Sequence, residues 1–278
     1  MKTAPTQTAV FGWRVAKAGY EWKQSVRSRP HLYERNVPGL GSRISQPMVD
    51  TPGLFREFTR LRDKDDIRKF ADQYGVLFDR YSDEGDHIKE KGTYWSVDAS
   101  CGTALGVWQR EIADMRTLVD IWDSITSNNM KDLKQIVFWR NEAVEYRIVT
   151  PKYQPSAWLT LPGDRHPFGK GDLLLPARYA LQREINRRLS DESNESDNKI
   201  ACVPRLVWNA DGSQSLAIVP PNLLGAMWLQ FAQFTSGAYQ LKLCACGKYF
   251  QVGKGVQKRA DAITCSDACR QRKKRKSN

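Results

Sequence analysis

The sequence predicts an α+β protein, with mixed helices and small antiparallel hairpins over residues 1–240 and a four-cysteine finger over residues 241–278. Two patterns predict the larger part: apolar residues recurring at helical spacing, and short alternating runs paired around turn residues. A third observation marks the end of the chain. Cys244, Cys246, Cys265 and Cys269 all lie in the last 35 residues, and basic charge gathers there too. Residues 241–278 hold eleven Lys or Arg against Asp261 and Asp267, a net +9 of the chain's +12, which leaves only +3 for residues 1–240. With 278 residues, 41% of them hydrophobic, and nine tryptophans, the chain has enough apolar matter for a core and is not of disordered composition.

Residues 8–24 alternate in two runs around Lys17-Ala18-Gly19. This predicts a β-hairpin with Phe11, Trp13 and Val15 on one face and Tyr20 and Trp22 on the other. Residues 27–52 carry Pro30, Pro38, Gly39, Gly41, Pro47 and Pro52 and read as extended and irregular. Two short helices are expected between Leu54 and Tyr74, broken near Asp63, which caps the second. Ile67, Phe70, Ala71 and Tyr74 form its apolar stripe, and Gly75 ends it. The clearest helix spans 103–126, where Leu105, Trp108, Ile112, Met115, Val119 and Trp122 recur at spacings of three and four.

Residues 134–149 predict a strand hairpin that turns at Arg140-Asn141-Glu142. A helix over about 173–190 follows, then an exposed acidic loop at 191–197 and a second hairpin over 200–219 that turns at 209–212. Pro220-Pro221 opens a helix, LLGAMWLQFAQF, that is apolar almost all round and therefore buried. It ends within ten residues of the cysteines, so the finger is expected to dock on the larger domain.

Four thiolates satisfy a soft cation tetrahedrally, and a closed set of this kind is structural. One structural zinc ion is the expected cofactor, held by Cys244, Cys246, Cys265 and Cys269. Gly247 suits a tight turn after the first pair, because glycine tolerates positive φ. Cys265 and Cys269 share a helix face at i, i+4, with Ser266 or Asp267 as its cap. Between the pairs a hairpin is expected from Lys248 to Val252, through Gly253-Lys254-Gly255 and back toward Ile263. Tyr249, Phe250 and Ile263 would be its small core. After the last cysteine run Arg270, Arg272, Lys273, Lys274, Arg275 and Lys276. With Lys258 and Arg259 these are the candidate phosphate contacts, giving salt-dependent affinity for nucleic acid, DNA in preference to RNA.

The order of knuckle, hairpin and helix resembles the treble-clef zinc fingers. Cys-Gly-x-x-Phe at 246–250, Cys-Ser-x-x-Cys at 265–269 and the basic end are similar to the CGNR-type finger of bacterial proteins. The likeness covers residues 241–275. It departs in the Cys-x-Cys spacing of the first pair, in a second pair one residue tighter, and in Arg270-Gln271-Arg272 standing where that family has Gly-Asn-Arg. What the resemblance implies is a finger at the end of a larger domain, in a regulator of transcription.

Other classes find little support. No stretch reaches the ~20 apolar residues of a membrane span, and the first 19 residues lack the apolar core of a signal peptide, so a cytoplasmic protein without membrane partners is expected. His31, His87 and His166 each fall in loop-like sequence with no catalytic partner nearby, and no enzyme activity is read. Asp83, Glu84 and Asp86 beside His87 read as a charged loop, and the scattered tryptophans as core. The larger domain is left with a small ligand or a protein partner. Two other functions stay open: an adaptor whose finger is scaffold only, and an enzyme acting on nucleic acid.

Overall fold

A computed structural model describes residues 12–24, 30–78, 103–140, 143–148, 159–160, 168–190, 202–208, 214–253 and 258–277. Trp13–Ala16 (β1) and Tyr20–Lys23 (β2) flank the turn at 17–19, but they do not pair with each other. β2 pairs antiparallel with His31–Glu34 (β3), and β1 with Ser42–Ser45 (β4). The N–H groups that would close the expected hairpin go to side chains instead. The Tyr20 N–H donates to Asp72 Oδ1 at 2.7 Å, and the Ala16 N–H to the Tyr20 hydroxyl at 3.2 Å. Residues 13–23 are therefore one bent limb lying against residues 31–45. The segment expected to be irregular supplies its two partner strands, and His31 opens one of them instead of sitting in a loop. Trp13, Val15 and Tyr20 are all buried, so they do not divide between two faces.

Pro47–Asp50 (α1) and Leu54–Phe58 (α2) follow, then Lys64–Tyr74 (α3). Asp63 Oδ1 accepts the N–H groups of Asp65 and Asp66, both at 2.9 Å, which is the expected cap. Ile67, Phe70, Ala71 and Tyr74 are buried. Gly75 ends the helix at φ 95°, where a Cβ would stand 2.6 Å from Trp13 Nε1. Only glycine lets α3 stop this close to β1.

Thr103–Ala104 (β5) joins β3, and Leu105–Thr126 (α4) runs as expected with its stripe inward, Trp122 only half-buried. Met130–Ile136 (α5) lies where no helix was expected. It buries Leu133 alone, so two turns carry no readable period; the local signal is Asn129, whose Oδ1 accepts the Asp132 N–H at 3.4 Å. Val137–Arg140 (β6) pairs with Ala143–Tyr146 (β7), and Leu159–Thr160 (β8) adds to β7. Leu174–Leu189 (α6) leads to the hairpin of Val203–Trp208 (β9) and Gln214–Val219 (β10), whose Leu206, Leu216 and Ile218 are exposed. Then comes Leu223–Thr235 (α7), capped by Asn222. Phe11, the turn residues 141–142 and 209–212, and the 191–197 loop lie outside the described residues.

The core gathers around α7, whose residues from Leu223 to Phe231 are all buried. Phe55 and Phe231 stack at 5.2 Å between ring centres, and Phe70 meets Trp108 edge-on at 6.2 Å. Gln230 Nε2 donates to the carbonyls of Pro47 and Thr51 at 2.9 and 3.0 Å, which fixes α1 on α7. Among the described residues no helix is long and apolar enough to cross a membrane.

Among the described residues one charged cluster lies inside. Arg188 on α6 donates to Glu111 at 2.8 Å and to Asp114, both on α4, and its guanidinium covers the Trp228 ring at 5.1 Å. Side-chain exposure is only 4% for Arg188, 7% for Glu111 and 0% for Asp114. The cluster ties three helices together but carries two carboxylates against one guanidinium. Arg188→Met should therefore cost about 3–5 kcal/mol, because it strands buried negative charge. Replacing all three together by Met and Leu should cost much less in urea unfolding. Equal losses for the single and triple variants would contradict this account.

Candidate metal centre

Gln240–Leu243 (β11) and Tyr249–Val252 (β12) form an antiparallel hairpin that closes at Leu243 and Tyr249. Between them the chain turns sharply. The Cys244 N–H donates to Lys248 O and the Gly247 N–H to Cys244 O, both at 2.9 Å, with Gly247 at φ 86°. This knuckle supplies its own turn, so β12 pairs with the strand that enters it. The expected return toward Ile263 does not form among the described residues, which leave out 254–257. Ile263 is 60% exposed, not part of a core. The small core is Cys244, Phe250 and Val252, with Ala262, Cys265 and Cys269 against it. Strand alternation turns Phe250 and Val252 toward the cysteines and Tyr249 toward the larger domain.

Asp267–Ser277 (α8) completes the segment. Ser266 Oγ accepts the Cys269 N–H at 3.3 Å, an N-cap contact that leaves Cys265 just ahead of the helix and Cys269 in its first turn, so the two meet at its positive end and do not share a helix face as expected. The structure brings the four sulfurs within 4.8 Å of one another. Cys246 and Cys265 Sγ are 3.4 Å apart, Cys265 and Cys269 Sγ 3.5 Å, and the Cys265 N–H points at Cys244 Sγ at 3.4 Å. A tetrahedral cation with metal–sulfur bonds of about 2.3 Å sets sulfurs about 3.8 Å apart, so the four fit a single metal ion.

Their ionisation points the same way. Backbone N–H groups, that of Cys246 first, pull the Cys244 thiol down to about 6. Burial, together with the sulfurs of Cys246, Cys269 and Cys244, pushes Cys265 up to about 12. The Ser266 hydroxyl lowers Cys269. Sulfurs this close resist carrying four negative charges together, and a bound cation removes that conflict. Among the described residues this is the one group of three or more such ligands.

The candidate phosphate contacts take different positions. Lys258 is half-buried, with its carbonyl accepting the Gly253 N–H at 3.1 Å. Arg259, Arg270, Arg272, Lys273 and Arg275 are exposed, and Lys274 and Lys276 lie on α8 with the last four. Arg270 reaches back to Asp267 at 3.2 Å. His87 and His166, with Asp83, Glu84, Asp86 and Cys101, lie outside the described residues. Cys202 is no part of the cluster: it lies near Gly225 O, and burial pushes its thiol up to about 12.

Sequence reasoning did not find the residues that dock the finger. Arg60 Nη2 donates to the Tyr249 hydroxyl at 2.5 Å, and its guanidinium lies 5.2 Å from that ring's centre. At Gly53, φ 87°, a Cβ would come within 3.1 Å of both Leu241 and Tyr249. The Tyr239 hydroxyl donates to Gln230 O at 2.8 Å. Arg60 and Gly53 lie far from the finger in sequence, and nothing local marks them.

Cys246→Ser and Cys269→Ser should each lose the metal and raise amide exchange across β11, β12 and α8. The transition of the larger domain should stay cooperative, since its core includes none of the four finger cysteines. Metal analysis and hydrogen exchange would check this, and retained stoichiometric metal in both variants would refute it. Comparison of the chain with protein-family models, curated proteins and solved structures gives no match.

Proposed function

We propose that the chain is a zinc-containing nucleic-acid-binding protein, a bacterial DNA-binding regulator of transcription built with a treble-clef-like, CGNR-type finger. Zinc is the metal that best suits four thiolates in a closed tetrahedral set. Cys244, Cys246, Cys265 and Cys269 would hold it, and its contribution is to order a segment with too small a core to fold alone.

The observation that carries the reading is the attachment of α8. Its first turn holds Cys269 and is capped beside Cys265, so the cluster fixes the N-terminal end of the helix. Six of the seven positions from 270 to 276 are Lys or Arg, with Gln271 the exception. A rod of cations fixed at one end suits the phosphate backbone of a duplex, where each neutralised phosphate releases counterions. Such contacts set position and not sequence. A second reading draws on Leu243 and Ile263, which are 55% and 60% exposed on the finger. Apolar side chains there fit an adaptor that presents the finger to a protein.

Binding of the zinc-loaded full chain to duplex DNA should weaken with salt, at a log–log slope between roughly −3 and −5. Changing Arg270, Arg272, Lys273, Lys274, Arg275 and Lys276 to Gln should remove most of that slope while zinc content stays at one per chain. A flat salt response, or unchanged binding by the neutralised variant, would overturn nucleic-acid binding in favour of the adaptor. Purified reduced protein that retains no zinc would overturn the metal assignment.

A further inference from the structure

The bent limb of residues 13–23 and its partner limb do not match in length where they turn. Ala16 pairs with Ser42 and Tyr20 with Glu34. Three residues, 17–19, thus face seven, 35–41. Both ends of the mismatch are pinned. The Lys17 N–H donates to Gly41 O at 3.2 Å and the Arg35 N–H to Gly19 O at 3.0 Å. Residues 35–41 are exposed, and two adjoining cavities open beside them, of about 350 and 600 Å³, which share Ala18 and Arg35. Their sizes lie in the range of small-ligand clefts.

The smaller cavity is basic. Lys17, Arg35 and Arg43 line it with a single carboxylate, Asp72. That carboxylate is already engaged by the Tyr20 N–H at 2.7 Å and by Arg68 at 3.4 Å. Arg43 is held in place by the carbonyl of Gln73 at 2.5 Å. Lys17 and Arg35 are exposed and have no carboxylate partner among the described residues. The larger cavity adds apolar wall: Tyr33, Val37 and Leu40, the last two 46% and 42% exposed. Its carboxylate, Glu34, is committed to Arg14 at 2.8 Å. Two exposed apolar side chains next to uncommitted cations have no role in the core.

We propose that this cleft binds a small amphipathic anion, an organic phosphate or carboxylate whose head lies at Lys17, Arg35 and Arg43 and whose apolar body lies along Tyr33, Val37 and Leu40. The site is separate from the finger and does not rest on the nucleic-acid reading. The loop needs no rearrangement to receive the ligand, because both cavities are open to solvent. Head and body are recognised by different residues, so the two contributions can be removed independently.

Phenyl phosphate is a minimal probe, with benzoate as the carboxylate counterpart, titrated by calorimetry into the full chain with its metal. Saturable binding is expected for at least one of them. Lys17→Ala with Arg35→Ala should weaken it about tenfold or more, through loss of charge-assisted hydrogen bonds. Val37→Ser with Leu40→Ser should weaken it about threefold, and inorganic phosphate should bind less well than phenyl phosphate. All four positions are exposed, so unchanged thermal midpoints are expected. The α8 variant with its six cations changed to Gln should bind the probe as the parent does. No saturable binding of either probe, equal affinity in the Lys17/Arg35 variant, or loss of binding in the α8 variant would each overturn the proposal.

Discussion

A helix that is apolar on every side has to be covered on every side, and α7 sets that requirement for this fold. Its residues from Leu223 to Phe231 offer no face to water. α1 and α2 cover one side, where Phe55 meets Phe231 and Gln230 hydrogen-bonds two carbonyls. α6 covers another, bringing Arg188 over Trp228. The buried Arg188 cluster follows from this arrangement. An arginine that packs its guanidinium on α7 can face α4 only if α4 supplies acids, and Glu111 and Asp114 stand one turn apart there. Such a cluster fixes which helices meet and adds little net stability, since desolvation offsets most of its attraction.

α7 also hands the chain to the metal centre. Tyr239 returns its hydroxyl to Gln230, the residue that holds α1. β11, which leads into the finger, starts at the next residue, yet the finger has only Cys244, Phe250 and Val252 as buried core. Three buried side chains fall far short of what an independent fold needs. Two external supports would make up the difference: a metal ion held by the four sulfurs, and the dock of Leu241 and Tyr249 on Gly53 and Arg60, which flank α2. The first would fix the internal geometry of the finger, and the second fixes its place on the larger domain.

Periodicity and capping chemistry were legible in the sequence. α3 with Asp63 and Gly75, α4 with its stripe, α6, α7 and the β9–β10 hairpin all rest on neighbours within a few residues. The four cysteines were legible because ligand chemistry marks them by residue type alone. What was hidden depends on distant partners. Residues 8–24 carry a fair hairpin pattern, but Asp72, some fifty residues away, takes the closing N–H of Tyr20. The prolines and glycines of 27–52 masked β3 and β4, whose pairing is decided by the limb they lie against. Within the finger, β12 paired with the strand before it because the knuckle already made the turn.

The stretch from Arg43 to Arg60 shows why positions differ in what a substitution there can report. Arg43 lines the cleft. The carbonyls of Pro47 and Thr51 hold Gln230, and Gly53 lies against Leu241 and Tyr249. Arg56 makes a paired contact with Asp123 at 2.7 and 2.9 Å, and Arg60 holds Tyr249. Cleft, core and finger thus share one short strut, with partners close enough for effects to couple and not to add. A change at Gly53 would disturb the dock and the packing of α2 on α7 together. The four finger cysteines lie off this strut, and their loss reaches it only through Leu241 and Tyr249, the finger side chains that meet Gly53 and Arg60.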